Sequence, residues 1–210
     1  MKNFSVSELA DIFSGRPVGT VEKCRYFSVL MPLVENDGDT YVLFELRAKH
    51  MKTQPGEVCF PGGRIEPGEK AVDCAVREAC EELGIFKEDI EVFCELDSSR
   101  NSAGSVIYRF MGQISYDALS RLELSKNEVE EVFLVPLSYF LENEPAVMRV
   151  NIGPTKDYKE LSKAYGLDMY DWGESVSEVP VYNYGKYCIW GLTGRMMMNF
   201  VSILAQSEKA

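Results

Sequence analysis

Apolar and polar positions along the chain switch between a period near two and the helical period, and each switch marks a predicted element. Ser5 and Glu8 form a capping-box pair ahead of Leu9, Ile12 and Phe13, and Gly15 and Pro17 close the run. That pattern predicts a short N-terminal helix. Arg25 to Val34 and Thr40 to Arg47 are strand-like, and Asp37-Gly38 between them tolerates positive φ, so a hairpin is predicted. Val58 to Phe60 reads as a short strand entering Pro61-Gly62-Gly63.

Helical spacing returns at about Lys70 and lasts to Leu83, with Gly84 as the expected C′ residue. Val72, Val76, Ala79 and Leu83 make an apolar stripe that can dock on a sheet. At about 100° per residue, Glu78 and Glu82 lie roughly 80–120° from that stripe and Glu81 farther round. The acids should then flank a buried seam and face a cleft.

Strand-like runs follow at Glu91 to Leu96, Ser105 to Ile114 and Val129 to Val135, with a short helix after Pro136. Pro145 to Gly153 and Val179 to Tyr184 supply further strands, whereas Pro154 to Glu178 lacks periodicity and is the candidate insertion or lid. Ile189 to Leu204 reads as a closing core helix, with Thr193 available as an N-cap for the run after it. No repeat or break in composition divides the chain, so residues 1–210 are expected to form a single domain.

Composition narrows the function. With 46% apolar residues over 210 positions the chain can bury a core, and 22 basic against 33 acidic side chains give a net charge of −11. No basic block offsets that charge, so nucleic acid is not an expected partner. Six cysteines form no C-x-x-C pair and lie mostly in apolar runs, which predicts reduced, core-packed thiols and a cytoplasmic setting. No run of eighteen apolar residues and no leader-like N-terminus occurs, so neither membrane insertion nor export is expected.

The chemistry concentrates on Glu78, Glu81 and Glu82, which share adjoining turns of one helix. Like charges at such spacing disfavour an isolated helix by roughly 0.2–0.5 kcal/mol per pair. A compact acidic cluster therefore points to a positive partner, and a hard divalent cation suits carboxylates while substrate phosphates complete its shell. Gly62 and Gly63 let the backbone approach a ligand closely, and Arg77 can orient Glu69 or a member of the cluster through a forked hydrogen bond. A glutamate-rich helix face is by default solvated charge; here several fixed positions coincide.

Gly63, Glu69, Arg77, Glu78, Glu81, Glu82, Gly84 and Ile85 fit G-x5-E-x7-R-E-U-x-E-E-x-G-U, in which only Ala79 is smaller than the usual aliphatic U. The segment resembles the signature of the Nudix hydrolases. That resemblance implies an α/β fold, a mixed β-sheet sandwiched between α-helices, with the signature forming a loop, helix and loop over a diphosphate. It also implies Mg²⁺- or Mn²⁺-dependent attack of water on a phosphorus of a nucleoside-linked pyrophosphate. Glu78, Glu81, Glu82 and the Gly62 carbonyl are the implied metal ligands, and Arg77 and Glu81 are catalytic candidates.

Upstream, Leu43-Phe44-Glu45-Leu46-Arg47-Ala48, Lys52, Gly56 and Phe60-Pro61-Gly62-Gly63 resemble LLTxRSxxxRxxxGxxxFPGG of the coenzyme A pyrophosphatase branch. Glu45, Ala48 and Lys52 replace threonine, serine and arginine there. Lys52 keeps the charge but loses the arginine fork, and Glu45 would repel phosphate if it faced the pocket. Arg47, Lys52 and Gly63 are the implied substrate contacts, and coenzyme A or a derivative is the implied substrate. Glu128 to Leu137 and Ile189 to Arg195 also resemble segments of this branch.

For the proton acceptor, Glu128 is favoured, with Glu131 and Glu81 as rivals; Glu128 and Glu130 share one period-2 face and Glu131 points oppositely. His50, the lone histidine, reads as a loop residue, and Phe60 and Trp190 as core or wall. Met196 to Met198 fill a core or an oligomer interface, and a homodimer is expected by family analogy and from the apolar C-terminal helix. Two other functions stay open: hydrolysis of ADP-ribose or a dinucleotide, and a catalytically weak nucleotide sensor on the same scaffold.

Overall fold

The hairpin forms as its sequence predicts. Strands β1 (Arg25–Asn36) and β2 (Asp39–Arg47) pair antiparallel through Asp37 and Gly38, whose φ values are 51° and 86°. The structure, a computed structural model, describes residues 3–17, 21, 24–100, 104–153, 155, 157–167 and 175–207. Ahead of the hairpin, α1 (Val6–Ser14) carries the full capping box between Ser5 and Glu8, yet it buries none of its residues and leaves Leu9, Ile12 and Phe13 exposed.

After β2 come β3 (Val58–Cys59), β4 (Gly62–Arg64), α2 (Ala71–Leu83), β5 (Ile90–Arg100), β6 (Ser105–Ile114), β7 (Val129–Pro136) and α3 (Leu137–Glu142). The chain continues through β8 (Ala146–Ile152), α4 (Tyr158–Ala164), β9 (Ser175–Tyr184), β10 (Tyr187–Trp190) and α5 (Gly191–Ser207). A seven-stranded sheet runs β3-β2-β1-β6-β5, with β4 on β1 and β7 on β2. Strands β1 and β6 are parallel and the other pairs antiparallel, so the sheet is mixed, as expected.

One split in this sheet places the site. Strand β1 pairs with β4 from Phe27 to Val29 and with β2 only from Leu33 onward. In the gap the Leu30 N–H donates to the Pro61 carbonyl at 2.9 Å. Pro32, two residues on, would point its N–H the same way and has none, so the ladder cannot continue there. The Pro61–Gly62 corner enters the opening.

Alternation along the central strands gives the sheet two apolar faces. Leu30 and Phe110 pack with Ala75 and Ala79 of α2, and Val34, Leu43 and Ile114 pack with Leu83. Met31, Val42, Phe44 and Ile107 face the other way, onto Phe140 of α3, Met196, Met197 and Phe200 of α5, and Tyr182 and Ile189 of a second sheet. That second sheet, β10-β9-β8, brings α5 over the main sheet. Buried Arg109 on β6 fastens it, donating to Asn199 Oδ1 at 2.8 Å and to the Asp97 carbonyl.

Several expectations change. Ile189 and Trp190 belong to β10, paired with Tyr182 and Val181, so the last helix begins at Gly191. Thr193 is no N-cap: it lies inside α5 and its hydroxyl donates to the Val58 carbonyl at 3.0 Å. Strand β4 was not expected. The segment 154–178 contains α4 and the start of β9, while its residues 154, 156 and 168–174 lie outside the described residues. Only Cys74 is buried; Cys24, Cys59 and Cys80 are half-buried, Cys94 and Cys188 are exposed, and all six are free.

Gly84 ends α2 at φ 67°, where its N–H caps the Cys80 carbonyl, and an added Cβ would overlap the Glu123 backbone. Gly84→Ala is therefore expected to destabilise the protein by more than ~1 kcal/mol, read as a lower urea midpoint at constant m-value.

Candidate active site

Helix α2 sets the site by lying close to the sheet. Ala75 and Ala79, both fully buried, let its axis approach Leu30 and Phe110. Continuing that arc by three residues reaches Glu82, which is only 3% exposed. Glu82 thus sits within the buried seam rather than beside it, a correction to the expected flank. Cys74 and Ala75 are buried with Val76, which rotates the seam toward Glu82 relative to the stripe of larger aliphatics.

The Gly62 N–H, carried into the sheet's opening, donates to Glu82 Oε2 at 2.7 Å. Next to it, the Glu78 carboxylate rests against Gly63 in space that any side-chain Cβ would occupy. Arg77 holds the outer carboxylates. Its Nε and Nη2 fork onto Glu69 at 2.8 and 3.1 Å, and its Nη1 reaches Glu78 at 2.9 Å and Glu81 at 3.2 Å. Glu81 is 61% exposed in its side chain and, among the described residues, bonds to the cluster through Arg77.

Electrostatics separate the outer acids from the inner ones. Hydrogen bonds from Arg77, then from the Glu66 N–H, hold Glu69 down to about 2. Burial pushes Glu82 up to about 8 against the Gly62 N–H, with Glu78 and Glu128 adding to the rise. Burial also raises Glu78, although Arg77 opposes it.

Strand register decides which remaining candidates join. Glu45 follows Tyr41 and Leu43 along the α2 face of β2, and is 1% exposed with Oε1 lacking any hydrogen-bond partner. Burial, then Glu82, raises it well above the carboxylate range, while Arg47 opposes. Glu128 lies just before β7, anchored by the Ala48 N–H on its carbonyl, and raises Glu45, Glu78 and Glu82 alike. Glu131 pairs with Leu46 on the opposite face of β2 and forms an ion pair with Lys186 at 2.8 Å, which takes it away from the cluster.

Arg47 lies near Glu45 and Glu82, with Nε buried and without a hydrogen-bond partner. Lys52 and His50 occupy the exposed loop after β2; among the described residues Lys52 makes no hydrogen bond or ion pair. Phe60 is core, and Trp190 lines a 350 Å³ cavity with Lys49, Glu131 and Lys186. Beside Glu78 opens a 990 Å³ cleft lined by Tyr26, Arg64, Glu69 and Tyr108. Sequence reasoning noted Glu45 only as a departure from the motif's threonine and missed its burial, whose signal was a charge at every-other spacing with Leu43 in an apolar strand.

A divalent cation fits the chemistry of this donor set: hard carboxylate oxygens, a buried oxygen with no partner, and mutual repulsion that an added positive charge relieves. Among the described residues, no three acidic, thiol or imidazole side chains enclose an ion as they stand, and Arg77 occupies oxygens of Glu78 and Glu81. A cation must compete with that arginine.

Residues 25–150 match the NUDIX domain, and the chain belongs to the Nudix hydrolase family. The family comprises hydrolases of small nucleotide-linked substrates that generally work with divalent metal ions. The chain is 37% identical over 185 residues to mouse peroxisomal coenzyme A diphosphatase NUDT7, covering 88% of this chain and 72% of that protein. Over 182 residues it is 34% identical to Nudix hydrolase 3 of Caenorhabditis elegans, covering 84% and 72%. A solved MutT/nudix family protein from Enterococcus faecalis aligns with TM-score 0.49 at 17% identity, covering 94% of this chain and 67% of that one.

The raised Glu82 has a pH signature. Its folded-state value of about 8 exceeds the ordinary 4.5, so between these limits the folded protein binds more protons than the unfolded chain. Stability of the metal-free protein is therefore expected to fall as pH rises from about 4.5 to about 8. Melting temperatures in EDTA across that range should show the decline, and Glu82→Gln should make it shallower, with the raised Glu45 and Glu78 supplying the remainder.

Proposed function

We propose that this protein hydrolyses the diphosphate of coenzyme A or a derivative, giving 3′,5′-ADP and a 4′-phosphopantetheine product, with Mg²⁺ or Mn²⁺. The observation that carries the reading is the inner carboxylate set, Glu82 hydrogen-bonded to Gly62 with Glu78 against Gly63, at the mouth of an open cleft. The coenzyme A assignment draws on the mouse diphosphatase relative and on Arg47, Gly56 and the Phe60–Gly63 corner.

Glu78, Glu81, Glu82 and the Gly62 carbonyl would hold the cation in this reading, Glu81 being bonded to Arg77 in this structure. When bound, the ion neutralises phosphate oxygens and lowers the pKa of bound water. The water oxygen forms the new bond to phosphorus, the bridging P–O bond breaks, and the leaving phosphate takes the electron pair. Glu128, near enough to raise Glu45, Glu78 and Glu82, receives the water proton, and Glu81 is the remaining rival since Glu131 faces away. Arg77 positions Glu69, Glu78 and Glu81. Arg47 and Gly63 meet the substrate, with Lys52 reaching it from its loop.

A second reading, hydrolysis of ADP-ribose or a dinucleotide, is favoured by Glu45: a buried carboxylate stands where the coenzyme A motif has threonine. The reading keeps one domain over residues 1–210, with 154–178 as an insertion. It also keeps a cytoplasmic setting on the strength of six free thiols, although the mouse relative is peroxisomal. No described helix is long and apolar enough to cross a membrane. The apolar side of α5 packs in its own core, so a homodimer would instead use the exposed Val147, Met148, Val150 and Ile152 of β8.

Coenzyme A, its disulfide and acyl forms, ADP-ribose and dinucleotides should be compared in one product assay with each metal. Coenzyme A or an acyl form is expected to have the highest kcat/KM and to release 3′,5′-ADP; faster ADP-ribose cleavage would transfer the assignment to the second reading. Glu82→Gln should lower turnover by at least the ~10–100-fold that losing even a supporting contact of a metal ligand costs, with folding retained by circular dichroism.

A further inference from the structure

Glu45 is a carboxylate that the signature glutamates do not include. It extends the alternation of Tyr41 and Leu43 on the face of β2 that packs against α2, and Leu43 itself meets Leu83, the neighbour of Glu82. The residue is 1% exposed, and among the described residues Oε1 has no hydrogen-bond partner. Leaving a buried acceptor unmatched is unfavourable, and more so for a charged group.

The adjacent cation does not resolve this. Arg47 lies two residues on along the same strand, yet among the described residues it forms no ion pair with Glu45, and its own Nε is also buried without a partner. Glu82, buried and bonded on Oε2 by the Gly62 N–H, is near enough that its charged form raises Glu45 further. Arg47 lowers both carboxylates, but less than burial and the neighbouring acids raise them, so this buried pair is only partly neutralised.

We propose that Glu45 is an additional oxygen ligand for a divalent cation, shared with Glu82, so that this chain holds its metal on a deeper donor set than the signature glutamates provide. The inference rests on the metal-dependent reading above. It makes the exchange of threonine for Glu45 a change in metal binding rather than in phosphate contact.

The test uses the full chain and Mn²⁺ alone, without nucleotide, in wild type, Glu45→Gln, Glu45→Thr and Glu82→Gln. Free Mn²⁺ is titrated by electron paramagnetic resonance, and melting temperatures are taken in EDTA and with Mn²⁺. Both Glu45 variants should weaken Mn²⁺ binding about 10–100-fold, melt in EDTA at or above wild type, and gain less from Mn²⁺. Wild-type Mn²⁺ affinity in the Glu45 variants, with weakened binding in Glu82→Gln, would overturn the role of Glu45 alone. Unaltered affinity in all three variants would overturn it together with the metal-dependent reading. Lower EDTA melting temperatures in both Glu45 variants would make Glu45 a structural residue and overturn the proposal as well.

Discussion

Carboxylates kept close together away from water set the terms for the rest of this fold. Removing an ion from water costs several kcal/mol even after relaxation, and each added like charge increases the penalty. Glu45 and Glu82 are nevertheless buried, and Glu78 and Glu128 raise Glu82 further. The surrounding construction serves that arrangement. Ala75 and Ala79 bring α2 down on the sheet, the gap at Pro32 admits the Gly62 corner, and Gly63 leaves room for the Glu78 carboxylate.

Arg77 divides the cluster. By gripping Glu69, Glu78 and Glu81 it neutralises the outer side, while among the described residues Glu82 and Glu45 form no ion pair. Glu69 falls to about 2 while Glu82 rises to about 8, so the two ends of one site keep opposite protonation at neutral pH. Environments separated in this way give a hydrolytic site both fixed negative charge and groups able to exchange a proton for a metal. The arginine also limits how freely Glu78 and Glu81 can turn toward a cation, making its fork a positioning element.

Local signals made much of this legible. Capping at Ser5 and Glu8, the Asp37-Gly38 turn and the left-handed Gly84 each depend on a few neighbouring residues, and each occurs where the pattern placed it. Features requiring tertiary information were hidden. The helical stripe drawn through Val72 and Val76 undercounted Cys74 and Ala75, small residues that shifted the buried arc onto Glu82. A four-residue apolar run, Tyr187–Trp190, cannot by itself distinguish strand from helix start, and only its pairing with β9 settles it. Period-two alternation already set Glu131 apart from Glu128, but the bulge beside Leu46 and Arg47, which pairs Val129 with Arg47, was not visible in the sequence.

Net charge carries the same constraint outward. A chain at −11 presents an acidic field to a substrate that is itself polyanionic, and the deepest acids of the site are those that burial and mutual repulsion push toward holding their protons. Arg47 supplies one nearby positive charge, too little to reverse that field across Glu45, Glu78, Glu82 and Glu128. Substrate affinity must then be coupled to cation binding: an ion that lowers the repulsion favours the phosphates, and the phosphates in turn favour the ion by the same free energy. On the proposed function, site acidity that would otherwise exclude a nucleotide would become the means by which cation and nucleotide are selected together.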